Sequence, residues 1–315
     1  MAQRVVDLLE QFCQYQLKQR GKTAGGVGTY RYNLSQFLRF AQAHVGRIAR
    51  IEDLTPETIQ AWMDDMAASN LSINTLRCRQ AMLSSFCNWL VKRNLLAANP
   101  ILKMDRPPRQ SMPPAVPSAA IMDALIKATR ERGHARDLAV FLLLRFTGMR
   151  RESVAMLRVG QLDGEWGLRG VRVKGGKVRD VPVPEAVMRF LQSYAVEVLS
   201  PAQGPLTPGT PLFWSSWGKR GMGKIRAPMT GKNIWRLCKV YGARIGYPML
   251  KPHDLRHGVA MEVLEEHGNL EEVRALLGHT RIDTTQVYTT IRPPQLKRAV
   301  GFYDDHAARL LALEA

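Results

Sequence analysis

Five prolines fall within the twelve residues Arg106-Pro-Pro-Arg-Gln-Ser-Met-Pro-Pro-Ala-Val-Pro117, and this run constrains the fold of the 315-residue chain more than any other feature. Each proline lacks an amide hydrogen and clashes with a preceding helical turn, so no helix crosses the stretch. The chain must fold as two parts joined by a basic, extended linker, and its length suffices for two domains. The composition change sets the expected boundaries: a first domain over 1–105, a linker over 106–117 and a second domain over 118–315.

The first part is a succession of helical patterns. Val5, Leu8, Leu9 and Phe12 follow an i, i+3, i+4, i+7 stripe, and Tyr30, Leu34, Phe37, Leu38 and Ala41 repeat it. Thr55-Pro56-Glu57 reads as an N-cap with proline at the first helical position, leading Ile59, Trp62, Met63 and Met66 inward. After Ser72 to Thr75, the residues Met82, Leu83, Phe86 and Leu90 form a fourth stripe. Four packed helices are the minimal architecture.

The second part mixes helices with short strands. From Gly170 to Pro184, two short strands flank a Gly-Gly turn. Pro201 to Pro211 reads as a loop, and the basic glycine stretch from Lys219 to Arg226 as a second one. Thr230 to Asn233 opens a helix carrying Trp235 and Cys238. The whole is expected to be mainly α with a small β-sheet.

Charge narrows the partner. Against 27 Asp+Glu the chain carries 45 Lys+Arg, a formal net charge of +18, and nucleic acid is the expected polyanion. No apolar run reaches the ~18 residues of a membrane span, and no signal peptide opens the chain, so a soluble cytoplasmic protein associated with the nucleoid is expected. Cysteines 13, 78, 87 and 238 form no Cys-x-x-Cys pair, which leaves structural zinc unsupported. Cys78 and Cys87 flank one apolar face and are expected to be small buried hydrophobes.

The chemistry concentrates between His253 and Tyr288. His253-Asp-Leu-Arg256-His257 is followed by Leu276-Leu-Gly-His279 and, nine residues later, by Tyr288. Three residues apart in a helical segment, His253 and Arg256 share a face and can hold one phosphate between an imidazole and a guanidinium. Gly278 permits a tight turn that aims His279 at the same place, and Tyr288 offers a phenol able to attack phosphorus. A lone tyrosine is more often half-buried packing than a nucleophile. The company of His253, Arg256, His257, Gly278 and His279 changes that reading.

The segment resembles the second box of the tyrosine recombinases, the phage integrase and Xer-type family of site-specific DNA recombinases. His253, Arg256, His279 and Tyr288 match its residues by position. The family's earlier arginine is matched by Arg150, after the apolar run Leu138 to Leu144 and three residues beyond Thr147. Where the family usually carries an acidic residue three after that arginine, this chain has Ser153, with Glu152 one position early. That departure leaves open what orients the arginine. Lys174 matches the catalytic lysine on the hairpin, with Lys177 and Arg179 as flanking basic residues.

The resemblance extends to the first part, where Thr29, Leu34, Phe37 and Asn74-Thr75 are similar to the SAM-like core-binding domain. It implies two domains closing around duplex DNA, with Lys103, Arg106 and Arg109 in the linker and Lys232 and Arg236 on a later helix as phosphate contacts. It also implies a 3′-phosphotyrosine intermediate, strand exchange through a Holliday junction between paired inverted-repeat sites, and no cofactor, metal or ATP. A homotetramer on DNA is expected, with accessory DNA-bending proteins or a partner recombinase as further partners. A terminal stripe of Leu310, Leu311 and Leu313, preceded by Ala299, Val300 and Phe302, is the element expected to link neighbouring subunits, or else to fold back on its own domain. Topoisomerase-like relaxation and a noncatalytic DNA-binding role on the same scaffold remain as alternatives.

Overall fold

The structure is a computed structural model that describes residues 4–47, 49–108, 110, 117–173, 175–215, 227–267, 270–278 and 300–312. Two compact units are present, Met1–Pro113 and Pro114–Ala315.

The first unit is built on α1 (Val5–Lys18), α2 (Ala24–Val45), α3 (Pro56–Ala68) and α4 (Ile73–Val91). Side-chain oxygens open three of these helices. Thr23 accepts from the Gly26 amide at 3.2 Å, Thr55 from Thr58 at 3.2 Å and Ser72 from Thr75 at 3.2 Å, each relieving an orphan amide of a first turn. Pro56 follows Thr55 at the first helical position, as its spacing requires. The four apolar stripes meet in one core. Its centre is Phe12, which sits edge-on to Tyr30, Phe86 and Trp89 at centroid separations of 5.6, 5.3 and 5.6 Å. A second pair, Phe37 and Trp62 at 5.1 Å, joins α2 to α3.

The chain beyond α4 does not leave this unit at once. Gln80 donates to the Asp105 carbonyl at 2.9 Å, Arg77 to the Pro107 carbonyl at 2.6 Å, and Asn74 exchanges two hydrogen bonds with the backbone of Gln110 at 2.7 and 3.2 Å. Residues 74, 77 and 80 lie on one helix face. They strap the start of the proline-rich stretch along α4, meeting backbone groups that no helix or sheet partners.

The second unit surrounds α6 (Ala135–Thr147), whose residues from Asp137 to Thr147 are all buried. Around it lie α5 (Ala119–Glu131), α8 (Glu185–Ser193) and α11 (Pro252–His267). After α6 come the short α7 (Arg151–Ala155) and an antiparallel sheet of β1 (Leu162–Asp163), β2 (Gly167–Arg172) and β3 (Val178–Val181) in that order. The hairpin anticipated from sequence pairs Arg172 with Val178, and the Val173 amide donates to the Lys177 carbonyl at 2.8 Å. After α8 the chain stays helical through Leu199 and α9 (Ser200–Gln203), so the expected loop begins only at Gly204. Then follow α10 (Gly231–Arg244), capped by Thr230 and Asn233, and α12 (Leu270–Leu277). The basic stretch from Lys219 to Arg226 lies outside the described residues.

The terminal helix α13 (Asp304–Ala312) folds back on its own unit, against α5 and α8. Arg130 donates to the Leu310 carbonyl at 2.6 Å, and Asp304 accepts from the Glu185 amide at 2.8 Å. Of the stripe expected to reach a neighbour, Leu310 and Leu311 are half-buried here, while Leu313 and Ala299 lie outside the described residues. Beneath this helix, Arg145 is 1% exposed and pairs with Glu262 at 2.8 Å and Asp123 at 3.4 Å. Tyr303 donates to the same Glu262 carboxylate at 2.6 Å, and His306 meets Asp123 at 2.9 Å. The charge buried on α6 is thus matched by acids from α5 and α11.

One cysteine departs from expectation. Cys13, Cys87 and Cys238 are buried, but Cys78 is exposed, because the inward face of α4 passes through Leu76, Gln80 and Leu83. Among the described residues, no helix is long and apolar enough to cross a membrane.

Replacing Phe86 (1% exposed) with alanine should destabilise the first unit by about 3–5 kcal/mol, the usual cost of truncating a buried phenylalanine. Urea unfolding followed by tryptophan fluorescence, Trp62 and Trp89 both being in that core, would measure it.

Candidate functional site

Two glycine-terminated helices and the first turn of a third build the site. At the end of α6, Thr147 donates to the Leu143 carbonyl at 2.5 Å and accepts from the Met149 amide at 3.2 Å. Gly148 then adopts φ +60°, and a Cβ there would lie 2.7 Å from a Leu277 methyl carbon, so both backbone and packing require glycine. This turn places Arg150 at the N-cap of α7 in extended conformation. At the start of α11, the Asp254 carboxylate accepts from the Lys251 amide at 2.9 Å and fixes the turn that presents His253 and Arg256.

Arg256 joins these pieces. Its guanidinium is 3% exposed and donates to the Gly148 carbonyl at 2.7 Å and the Leu277 carbonyl at 2.6 Å. Both acceptors lie at helix C-termini, where the helix dipole favours a cation. Among the described residues no carboxylate pairs with it. Burial, and then the charges of Arg150 and Arg179, push Arg256 down to about 9, so it remains a cation at neutral pH with its charge uncompensated by an acid.

Arg150, His253 and Arg256 line one pocket of about 430 Å³, together with Met149, Arg151, Glu152, Trp235, Lys251 and Pro252. The His253 ring sits edge-on to His257, with centroids 4.4 Å apart. Burial, then the neighbouring His257 and Arg256, lower the His253 pKa below its ordinary 6.5. The imidazole is therefore neutral at neutral pH and free to accept a proton or a hydrogen bond.

Glu152 and Ser153 have separate fates. Glu152 turns outward to pair with Arg151 at 2.7 Å and lies against Gly231 at the start of α10, whereas Ser153 is buried. The carbonyls of Gly148 and Leu277 hold Arg256, while Arg150 is placed by the Gly148 turn at the N-cap of α7.

Of the residues singled out in sequence, the pocket thus unites Arg150, His253 and Arg256. Lys174, His279, Tyr288 and Arg109 lie outside the described residues. Lys177 is exposed on the hairpin, Lys103 and Arg106 are exposed in the first unit, and Lys232 is exposed with Arg236 half-buried on α10. Arg179, expected as a flanking basic residue of the hairpin, meets backbone carbonyls of α12. It donates to the Ala275 carbonyl at 2.8 Å and the Leu276 carbonyl at 2.7 Å, and burial followed by the Arg150 charge push it down to about 10. The signal was available in the strand period: Arg179 faces the buried Val171 across the ladder and lies two residues from the buried Val181. Trp235 and Lys251 on the pocket wall had no such signal.

Chemically, the pocket presents fixed positive donors beside a neutral imidazole. That combination suits an oxyanion with several negative oxygens, such as a phosphodiester, because a guanidinium fork pairs two oxygens and stays charged.

Comparison with known proteins gives the scaffold its relatives. Residues 118–294 match the Phage integrase family, and residues 9–94 match the family described as Phage integrase, N-terminal SAM-like domain. A tyrosine recombinase XerC of Herpetosiphon aurantiacus is 30% identical over 310 residues, covering 96% of this chain and 94% of the relative. In fold, the chain is similar to a λ integrase tetramer bound to a Holliday junction (TM-score 0.63, 15% identity, 91% of this chain and 81% of that one). It is also similar to the XerH site-specific recombinase bound to a palindromic difH substrate in a post-cleavage complex (TM-score 0.63, 17% identity, 98% of this chain and 84% of that one).

An anion entering this pocket supplies the counter-charge that Arg256 lacks, so millimolar inorganic phosphate should raise the melting temperature of the protein by roughly 2–4 °C per kcal/mol of binding free energy. Differential scanning fluorimetry should show that response in the wild type and none in Arg256→Ala.

Proposed function

Because the chain belongs to the phage integrase family of tyrosine recombinases, we propose that its pocket cuts and rejoins duplex DNA through a covalent 3′-phosphotyrosine on Tyr288. The protein is a DNA strand-exchange enzyme acting in site-specific recombination. The observation that carries the finer reading is the pairing of Arg150 with Arg256 in one pocket, where Arg256 is buried and meets carbonyls in place of an acid. The missing negative charge is that of a scissile phosphate.

The chemistry follows from that charge. As the Tyr288 oxygen bonds to phosphorus, the bond to the 5′ oxygen breaks, and the nonbridging oxygens gather charge that Arg150 and Arg256 stabilise without reorganising. A tyrosine with pKa ~10 holds its proton near neutrality and needs a base. His253, neutral at that pH, takes the phenolic proton. Lys174 protonates the departing 5′ oxygen, and His279 donates a hydrogen bond to the phosphate. The products are a 3′-phosphotyrosine and a free 5′ hydroxyl. One phosphoester bond replaces another, so attack by a 5′ hydroxyl of a second strand reverses the step with neither metal nor nucleotide. Two such exchanges, through a Holliday junction, recombine paired inverted-repeat sites held by a tetramer of this chain.

The net charge of +18 supports a duplex-wrapping partner surface, with Lys103, Arg106, Arg109, Lys177, Lys232 and Arg236 on phosphates. Cytoplasmic, nucleoid-associated action is the corresponding setting, with DNA-bending proteins or a second recombinase as accessory partners.

The experiment is covalent capture. Protein is incubated with fragmented genomic DNA of the source organism and denatured, and only DNA attached to protein is recovered and sequenced. Enrichment of a short inverted-repeat site by the wild type and its absence with Tyr288→Phe, which should still bind DNA, is the expected result. Adducts at random positions point to relaxation without site choice, and adducts undiminished in Tyr288→Phe remove the nucleophile.

The rate of adduct formation should also fall as pH drops through a value below 6.5, because protonated His253 can no longer take the phenolic proton. Single-turnover rates between pH 4.5 and 8 would trace this limb, and His253→Gln should abolish it.

A further inference from the structure

The last turn of α12 ends on two buried guanidiniums from different elements. Three consecutive carbonyls are taken in order: Ala275 and Leu276 by Arg179 of β3, and Leu277 by Arg256 of α11. A helix leaves its final carbonyls without intrahelical partners, and here cations meet them at the negative end of the dipole. Gly278 follows with φ +61° in the left-handed region, its amide donating to the Ala275 carbonyl at 3.1 Å. A Cβ on Gly278 would stand 2.9 Å from an Arg179 terminal nitrogen, so that guanidinium forms the wall against which the turn is made. The same strand carries, at the other end of its hairpin loop, the segment with Lys174.

We infer that Arg179 is a positioning residue: it clamps the end of α12 to the β2–β3 hairpin and so fixes the backbone from which His279 departs, an inference that rests on the reading of the site given above. Two features separate this from a DNA contact. Both terminal nitrogens of Arg179 are committed to carbonyls, and its Nε is buried, with no hydrogen-bond partner among the described residues. Two features separate it from ordinary packing. The contact spans 96 residues of sequence to join β3 to the last turn of α12, and it takes two successive carbonyls beside the one that holds Arg256. Lysine cannot replace it, because a single ammonium cannot span two successive carbonyls in a fixed plane.

The test uses Arg179→Lys, His279→Ala and the double variant in the full chain, with fragmented genomic DNA as the probe. Adduct formation is followed in single turnover, filter binding of the same DNA is measured from low to high salt, and thermal melting is recorded. Arg179→Lys should slow adduct formation by about 10²-fold, the scale of a 1 Å misplacement of reacting groups. Its affinity and salt slope should match the wild type. In the double variant the loss should be no greater than in His279→Ala alone, because a residue acting through His279 has nothing left to act on. Multiplying losses would overturn the inference, since a merely structural role lowers stability and rate independently of His279. A weaker affinity with a salt slope reduced by roughly 0.9 would overturn it in favour of a phosphate contact. Wild-type protein that forms no Tyr288-dependent adduct would defeat the underlying reading of the site instead, whereas normal adducts from both wild type and Arg179→Lys would defeat only the role of Arg179.

Discussion

The Arg256 guanidinium, suspended between the Gly148 and Leu277 carbonyls, is the contact on which the rest of the site depends. Taking a cation out of water costs several kcal/mol, and hydrogen bonds to a charged group return about 1.5–3 kcal/mol each. Two such bonds at two helix C-termini hold the charge where an isolated one would be expelled. In holding it, they also tie the end of α6, the first turn of α11 and the end of α12 into one body. Arg150 leaves the Gly148 turn, and His253 precedes Arg256 on the same face, so the pocket inherits its geometry from that one tie.

Arg145 and Arg256 make the point by contrast. Both are nearly inaccessible, at 1% and 3% exposure. Burial lowers the pKa of each, but for Arg145 the neighbouring Tyr303 and the carboxylates of Glu262 and Asp123 overcome that effect and raise it. For Arg256 the neighbouring charges of Arg150 and Arg179 add to the effect of burial, and it is lowered to about 9. One side chain is neutralised within the protein and holds α13 to the core. The other is held by two backbone carbonyls. Among the described residues that cation has no acid to pair with, a costly arrangement for stability alone.

Much of this could be read before any coordinates. The helices of the first unit announced themselves because burial on one side imposes a 3.6-residue period, and Thr55-Pro56 and Thr230 to Asn233 marked starts because orphan amides need local acceptors. The hairpin around Gly175-Gly176 was visible because both residues adopt positive φ, which glycine supplies. His253 and Arg256 were placed on one face by spacing alone. Cys78, by contrast, read as buried and is exposed, since a stripe several residues wide leaves its edges undecided. The expected linker was seen as a break in helix, but not as a strap along α4, because Asn74, Arg77 and Gln80 bind backbone carbonyls 25 to 36 residues away that carry no residue-specific mark.

By itself, then, the sequence determined the helices of the first unit, the hairpin, where the chain must break, and that His253 and Arg256 share a face, because period, caps, proline and residue type are local properties. Tertiary structure alone decided which charges are compensated and which are left open. It turned Arg179 inward onto α12, sent Glu152 out to Arg151, gave Arg256 two carbonyls in place of an acid, and folded α13 onto α5 and α8. The ties of Arg179 to Ala275, of Arg256 to Gly148 and of Arg130 to Leu310 join segments about a hundred or more residues apart, and in each the partner is a backbone carbonyl, a group every residue has and no sequence pattern distinguishes.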